Sequence, residues 1–205
     1  VGAYSIMSNP WGQGGDASFP GSLDPWSKIQ LGWLTPTRIT KSGSYSLKPT
    51  ATEKEVYIID DPYPRGEYLL IENRQKTLYD AKMWNGAGGA LIWHIDESKT
   101  SNSEAGGPYQ ADWPENGEHY KVALLQADGL YQLEQNINDG QWDDFFTFGK
   151  QLGPGSTGVY PNTDSYQGGN IITNGITITD FEEDGRVVKF TVSDYPQIGV
   201  SDNAM

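Results

Sequence analysis
The chain contains no cysteine. That excludes disulfides, thiolate nucleophiles, cysteine-held zinc and iron–sulfur clusters, so the fold must rest on its own core. No apolar run approaches the roughly 20 residues that a membrane-spanning helix needs. Positive charge is scarce: 14 Lys and Arg against 27 Asp and Glu give a net charge of −13. A chain this acidic repels nucleic acid and anionic lipid, so no nucleic-acid partner is expected. There are only two histidines, His94 and His119, and no HExxH, so the chain holds no self-contained zinc-protease site. GxSxG is absent too. Gly86-Ala-Gly-Gly89 leads into a strand-like run rather than a helix, which argues against a phosphate loop.

What the chain has is aromatic mass and turn residues: 7 Trp, 12 Tyr and 6 Phe beside 25 Gly and 12 Pro. This is the material of a packed β fold with many turns. Asp24-Pro25 predicts a short helix, with Asp24 as N-cap, Pro25 in the first turn, and Leu23, Trp26, Ile29 and Trp33 as its apolar stripe. Strand-like runs follow at Tyr45–Leu47, Glu55–Ile59, Glu67–Ile71, Ala90–Ile95, Tyr120–Leu125, Gly175–Thr179 and Arg186–Val192. Glu182-Glu-Asp-Gly185 reads as the turn of a final hairpin. The expected fold is mainly β (α+β overall): a loop and short helix over residues 1–34, then a β-rich, sandwich-like domain over 35–205. Residues 97–118 and 138–169 read as long irregular connections, a length that is usually functional or ion-braced.

Few residues announce chemistry. His94, between Trp93 and Ile95, reads first as a hydrogen-bonded core histidine and second as a rim residue of a site built elsewhere. His119, at a loop-to-strand junction, reads as structural or exposed. Glu72, Asn73 and Arg74 end an apolar run with an acid, an amide and a cation, the composition of an internal salt bridge or loop clamp. Asp128, Asn138, Asp139, Asp143 and Asp144 crowd one stretch. Hard calcium takes six to eight oxygens, so they are candidate calcium ligands, with a solvated acidic loop as the alternative.

Five blocks in order resemble the M6 metallopeptidases, the immune inhibitor A-like family. Val1-Gly-Ala-Tyr-Ser-Ile-Met-Ser8 is similar to that family's Met-turn, and Pro20-Gly-Ser-Leu-Asp-Pro-Trp-Ser-Lys-Ile-Gln-Leu-Gly-Trp-Leu34 to its following helix. Glu67-Tyr-Leu-Leu-Ile-Glu-Asn-Arg-Gln75, Gly89-Ala-Leu-Ile-Trp-His-Ile-Asp96 and Leu124-Leu-Gln-Ala-Asp-Gly129 resemble three later blocks. The resemblance spans residues 1 to about 193. It implies the end of a metzincin-like catalytic domain (1–34), with Met7 as the floor beneath a zinc that it does not ligate. The zinc ligands and the general base of HExxH would lie upstream of Val1, so no catalytic or zinc-ligating residue is expected in this chain. Tyr4 and Ser5 stand where the family usually has Trp and Asp.

The resemblance implies a secreted zinc metallopeptidase that hydrolyses peptide bonds in a protein or peptide substrate. The chain alone is expected to be inactive, and residues 1–33 are expected to need cover from the upstream segment or a partner chain. The alternative is a non-catalytic extracellular assembly or binding module that keeps the fold.

Overall fold
The computed structural model describes residues 1–11, 18–102, 119–155 and 161–196. The expected helix is α1, Pro25–Gln30, capped by Asp24 and stopped at Leu31. Eight strands follow: β1 (Thr37–Arg38), β2 (Gly43–Leu47), β3 (Val56–Ile59), β4 (Glu67–Arg74), β5 (Gly89–Asp96), β6 (Val122–Leu125), β7 (Thr177–Asp184) and β8 (Val187–Ser193). A second short helix, α2 (Thr50–Glu53), lies between β2 and β3. The protein is mainly β, in two sheets with few helices. One sheet has the order β1-β3-β4-β5-β6, parallel only at β1–β3, and the other has the antiparallel order β2-β8-β7.

Alternation in the two central strands explains the layering. In a strand, successive side chains point to opposite faces. Leu69, Ile71, Ala90 and Ile92 face a core shared with Leu47, Ile178, Phe181, Phe190 and Val192 of the three-stranded sheet. Leu70, Leu91, Trp93 and Ile95 face the other way, into a core with Tyr4, Leu34, Met83 and Phe145. All eight residues of β5 are buried, because both of its faces are covered. The five-stranded sheet is therefore a middle layer, with the smaller sheet on one side and the N-terminal segment on the other. The second core joins residues from both sides of position 34.

Two expectations are corrected. Glu182 to Asp184 belong to β7 rather than to a turn, and the chain reverses at Gly185-Arg186. The register shifts between Thr179 and Glu182, where Asp180 takes a positive φ and Phe181 drops into the core; such a bulge lets acidic residues continue a strand. Trp33 is not in the core but 61% exposed, since α1 ends before its stripe reaches that residue. Trp26 and Ile29 of the same stripe do pack, half-buried, on the second core.

Candidate functional site
The site that contains Met7 is built from buried polar groups under a tight turn. The Ser5 carbonyl accepts the N–H groups of Ser8 and Asn9, both at 3.0 Å. The Ser5 hydroxyl donates to Asp24 Oδ2 (2.6 Å) and accepts from Met7 N (3.3 Å). Asp24 is 2% exposed and also caps α1, taking Ser27 N (2.7 Å) and Ser27 Oγ (2.8 Å). One carboxylate thus fixes the helix start and the turn together. Ser5 anchors the turn because its hydroxyl finds an acid supplied by the helix.

Below them lies a buried ionic cluster from the Glu72-Asn-Arg74 block. The Arg74 guanidinium pairs with Glu72 (2.8 Å) and approaches Asp80 (3.9 Å). It also donates to the carbonyls of Tyr4 and Leu23. Burial works against its charge, but the carboxylates of Glu72, Asp80 and Asp24 outweigh that and hold it protonated above the usual arginine range. Asp80 accepts Ser22 N (3.1 Å) and Ser22 Oγ (2.6 Å). Glu72 accepts the Trp93 indole N–H (3.1 Å), and its other oxygen is 3.9 Å from Lys28 Nζ. Asn73 points the opposite way, its amide donating to the carbonyls of Leu47 and Arg186, both at 2.7 Å. The sequence-predicted clamp is real. It grips the N-terminal segment with two residues and the second sheet with the third.

Tyr4 completes the seating. Its ring is fully buried, and its single hydroxyl proton is shared between two acceptors within hydrogen-bond distance, Gln141 O (2.6 Å) and Asp144 Oδ2 (2.7 Å). Two glycines make room. A Cβ on Gly140 (φ +122°) would stand 2.5 Å from the Tyr4 ring, and one on Gly2 (φ +51°) would stand 2.4 Å from the Asp139 carbonyl. Both positions need glycine for space and for backbone conformation.

On this base Met7 is 73% exposed. Its turn separates two grooves. One, about 470 Å³, is lined by Met7, Ser8, Trp26, Asn102, Lys121 and Glu134. The other, about 480 Å³ and mostly apolar, is lined by Ile6, Leu23, Trp33, Leu34, Leu78 and Tyr79. Trp11, Leu31 and Trp33 are exposed, so part of the apolar surface expected to need cover is open in the described chain.

The five candidate calcium ligands do not form one shell. Asn138 is engaged with Gln132, Gln141 and Gly140. Asp128 accepts from Leu130 N (2.9 Å) and Gln141 Nε2 (3.1 Å), and Asp139 is exposed. Asp143 and Asp144 each keep one buried oxygen without a partner. Burial, then the charges of Asp128 and Asp143, push the Asp144 carboxyl up to about 6, against the opposing bonds from Tyr4 and Gln141. Among the described residues no group of three or more His, Asp or Glu stands ready to hold a metal ion.

His94 is enclosed, not on a rim: it is 1% exposed, and its Nε2 lies 2.7 Å from Glu67 Oε1. The structure brings the two histidines together, with ring centroids 4.2 Å apart. Sequence reading missed Glu67, Tyr166 and Asp80. Glu67 carried a signal, since an acid at an inward position of an apolar strand demands a partner. Asp80, in a loop, carried none. Family models, curated proteins and solved structures each return no match to this chain. Among the described residues no helix is long and apolar enough to cross a membrane.

Proposed function
We propose that this chain is the C-terminal portion of a secreted M6-type zinc metallopeptidase that cleaves peptide bonds. The observation that carries the reading is Met7: a methionine held in the open, on a turn pinned from beneath by Ser5, Asp24 and the Arg74 cluster. A methionine serving only packing would be buried. A fixed, exposed thioether between two grooves is suited to lie under a second layer of protein.

The described residues do not themselves fit zinc, because His94 Nε2 is engaged with Glu67 and no cluster of three ligands exists among them. On this reading the zinc ligands and the general base belong to residues upstream of Val1. This chain holds the floor, and its exposed Trp11, Trp33, Leu78 and Tyr79 are the surface that the upstream segment covers. A zinc bound there would supply Lewis acidity toward a peptide carbonyl. Calcium is proposed for the stretch that holds Asp128, Asn138, Asp139, Asp143 and Asp144, which would have to rearrange to enclose it; the charges crowding Asp144 and the unpartnered oxygens of Asp143 and Asp144 are what a divalent ion would relieve.

The test compares residues 1–205 with a longer protein that carries the proposed HExxH segment ahead of Val1. Casein turnover abolished by a chelator is expected from the longer protein, and none from residues 1–205. Turnover by the short chain, or none by a longer chain with an intact HExxH, overturns the proposal. The second result would favour the non-catalytic assembly module, which the same exposed aromatic surface also suits. Calcium is tested by melting with EDTA, then Ca²⁺, then Mg²⁺, for the wild type and Asp143→Ala. Equal effects of the two ions, or an unchanged response in the variant, remove it.

A further inference from the structure
The groove on the Leu78 side of the Met7 turn differs from the rest of the molecule in its charge. It encloses about 480 Å³ and is mostly apolar, walled by Leu23, Trp33, Leu34, Ala51, Leu78 and Tyr79. That size and lining are those of a small-ligand site. The chain carries 27 Asp and Glu against 14 Lys and Arg. Yet none of the described residues that line this groove is acidic, and two are lysines: Lys28 on α1 and Lys54 at the end of α2.

Neither ammonium group is fully used. The Lys28 side chain is only 17% exposed, and its nearest carboxylate, that of the fully buried Glu72, stands 3.9 Å away, beyond hydrogen-bond reach. The Glu72 oxygen at that contact has no hydrogen-bond partner either. Burial, only partly offset by Glu72, disfavours the charge on Lys28. A mostly enclosed ammonium without an acceptor gains from one brought by a ligand. Lys54 is exposed and enters no ion pair among the described residues. Its backbone stands at φ +56° and that of Leu78 at φ +51°. Two side-chain-bearing residues kept in the left-handed region on one groove carry a strain that gathers at ligand sites.

We infer that this groove binds an alkyl carboxylate, the chemistry of a free fatty acid, with its chain on the apolar wall and its carboxylate paired with Lys28 in the field of Lys54. A peptide suits the groove less well. A main chain needs acceptors for its N–H groups, and many of those here are taken. The carbonyls of Ser22, Leu23, Lys28, Thr50 and Leu78 already accept from Ile6, Arg74, Trp33, Lys54 and Ala81. The hydroxyls of Ser22 and Thr50 are committed to Asp80 and to the Glu55 carbonyl. A hydrocarbon chain needs no such acceptors, and the ammonium groups answer its one polar end. The inference does not rest on the peptidase reading. The cover proposed there would meet the rim at Trp33, Leu78 and Tyr79, and the ligand would lie beneath it on Leu23, Leu34 and Ala51.

Equilibrium dialysis of the whole chain against decanoate, dodecanoate and tetradecanoate, each below its micellar concentration, tests this. Affinity should rise about fourfold for each added methylene. Dodecyltrimethylammonium, with the same chain and the opposite charge, should bind about tenfold more weakly than dodecanoate. Lys28→Met should weaken dodecanoate by about tenfold. Ala51→Trp, which fills the groove from α2 and leaves both lysines in place, should abolish binding. Equal binding of the two amphiphiles overturns the inference, as does unchanged binding to Ala51→Trp, which would put the hydrocarbon elsewhere on the molecule. Displacement of dodecanoate by an equal concentration of a capped apolar peptide carrying one Glu would make the groove a peptide site and overturn it as well. If a melt shows that Lys28→Met does not fold, the amphiphile comparison and Ala51→Trp decide.

Discussion
The two faces of the five-stranded sheet are held by different physics. Toward the smaller sheet the contact is apolar, with Ile71, Ile92, Phe181 and Phe190 closing over one another. Toward the N-terminal segment the same strands present Glu72 and Arg74, joined by Asp80, Asp24 and Lys28. Apolar packing stabilises without regard to direction, whereas a buried ion pair offsets its desolvation only in one geometry. The face that must position a turn uses the directional interaction, and the face that only closes a core does not.

The largest effect should come from splitting the ionic cluster. Arg74→Met strands the carboxylates of Glu72 and Asp80, and a loss of about 3–5 kcal/mol is expected by denaturant unfolding. The double variant Glu72→Leu with Arg74→Met should recover part of that loss, since an apolar replacement of a whole pair is often neutral. A double variant no better than the single one would mean that the Arg74 bonds to Tyr4 and Leu23, not the charges, hold this face. Next comes Tyr4→Phe, which removes the hydroxyl between Asp144 and Gln141, with an expected loss of about 1–3 kcal/mol near neutral pH. The folded state favours the protonated Asp144 carboxyl, so the cost of that group is full above about pH 6 and fades as the pH falls toward the ordinary carboxylate range. Without the tyrosine bond its midpoint should rise further, so the deficit of Tyr4→Phe should shrink on acidification. Melting curves at several pH values check this. On the apolar face Ile92→Val should cost about 0.5–1.5 kcal/mol with no pH or salt dependence. The smallest effect belongs to the exposed Lys189–Asp184 pair of the β7–β8 hairpin: Lys189→Ala should leave the melting temperature unchanged.

Much of this contrast was legible in the residue order. β4 and β5 declare themselves by β-branched and aromatic runs. The Asp24-Pro25 pair marks a helix start, and Glu72-Asn-Arg74 can be recognised as a clamp because charges that end an apolar strand need partners. The partners themselves were not legible. Asp80 and Ser22 lie in loops whose composition says only that they turn, and Glu67 meets His94 only because of the register in which β4 faces β5. His119 reaches His94 through the pairing of β5 with β6, which no local pattern encodes. The Asp- and Asn-rich stretch misled in another way. Its crowding along the chain is real, but Asn138 and Asp128 spend their oxygens on the loop's own N–H groups. Trp33 misled because the apolar period outlasts the helix that would have turned it inward.

Strand β4 serves both layers with adjacent residues, and that limits how the gene can change. Deleting or inserting one residue within Glu67–Arg74 would turn Asn73 toward the charged cluster and Arg74 into the hydrophobic interior, exchanging every partner on both sides at once. Substitutions there can be explored singly, but length cannot. Homologues of this protein should therefore vary in the spacing before and after β4 and be invariant in the number of residues within it, a pattern that a sequence alignment can check.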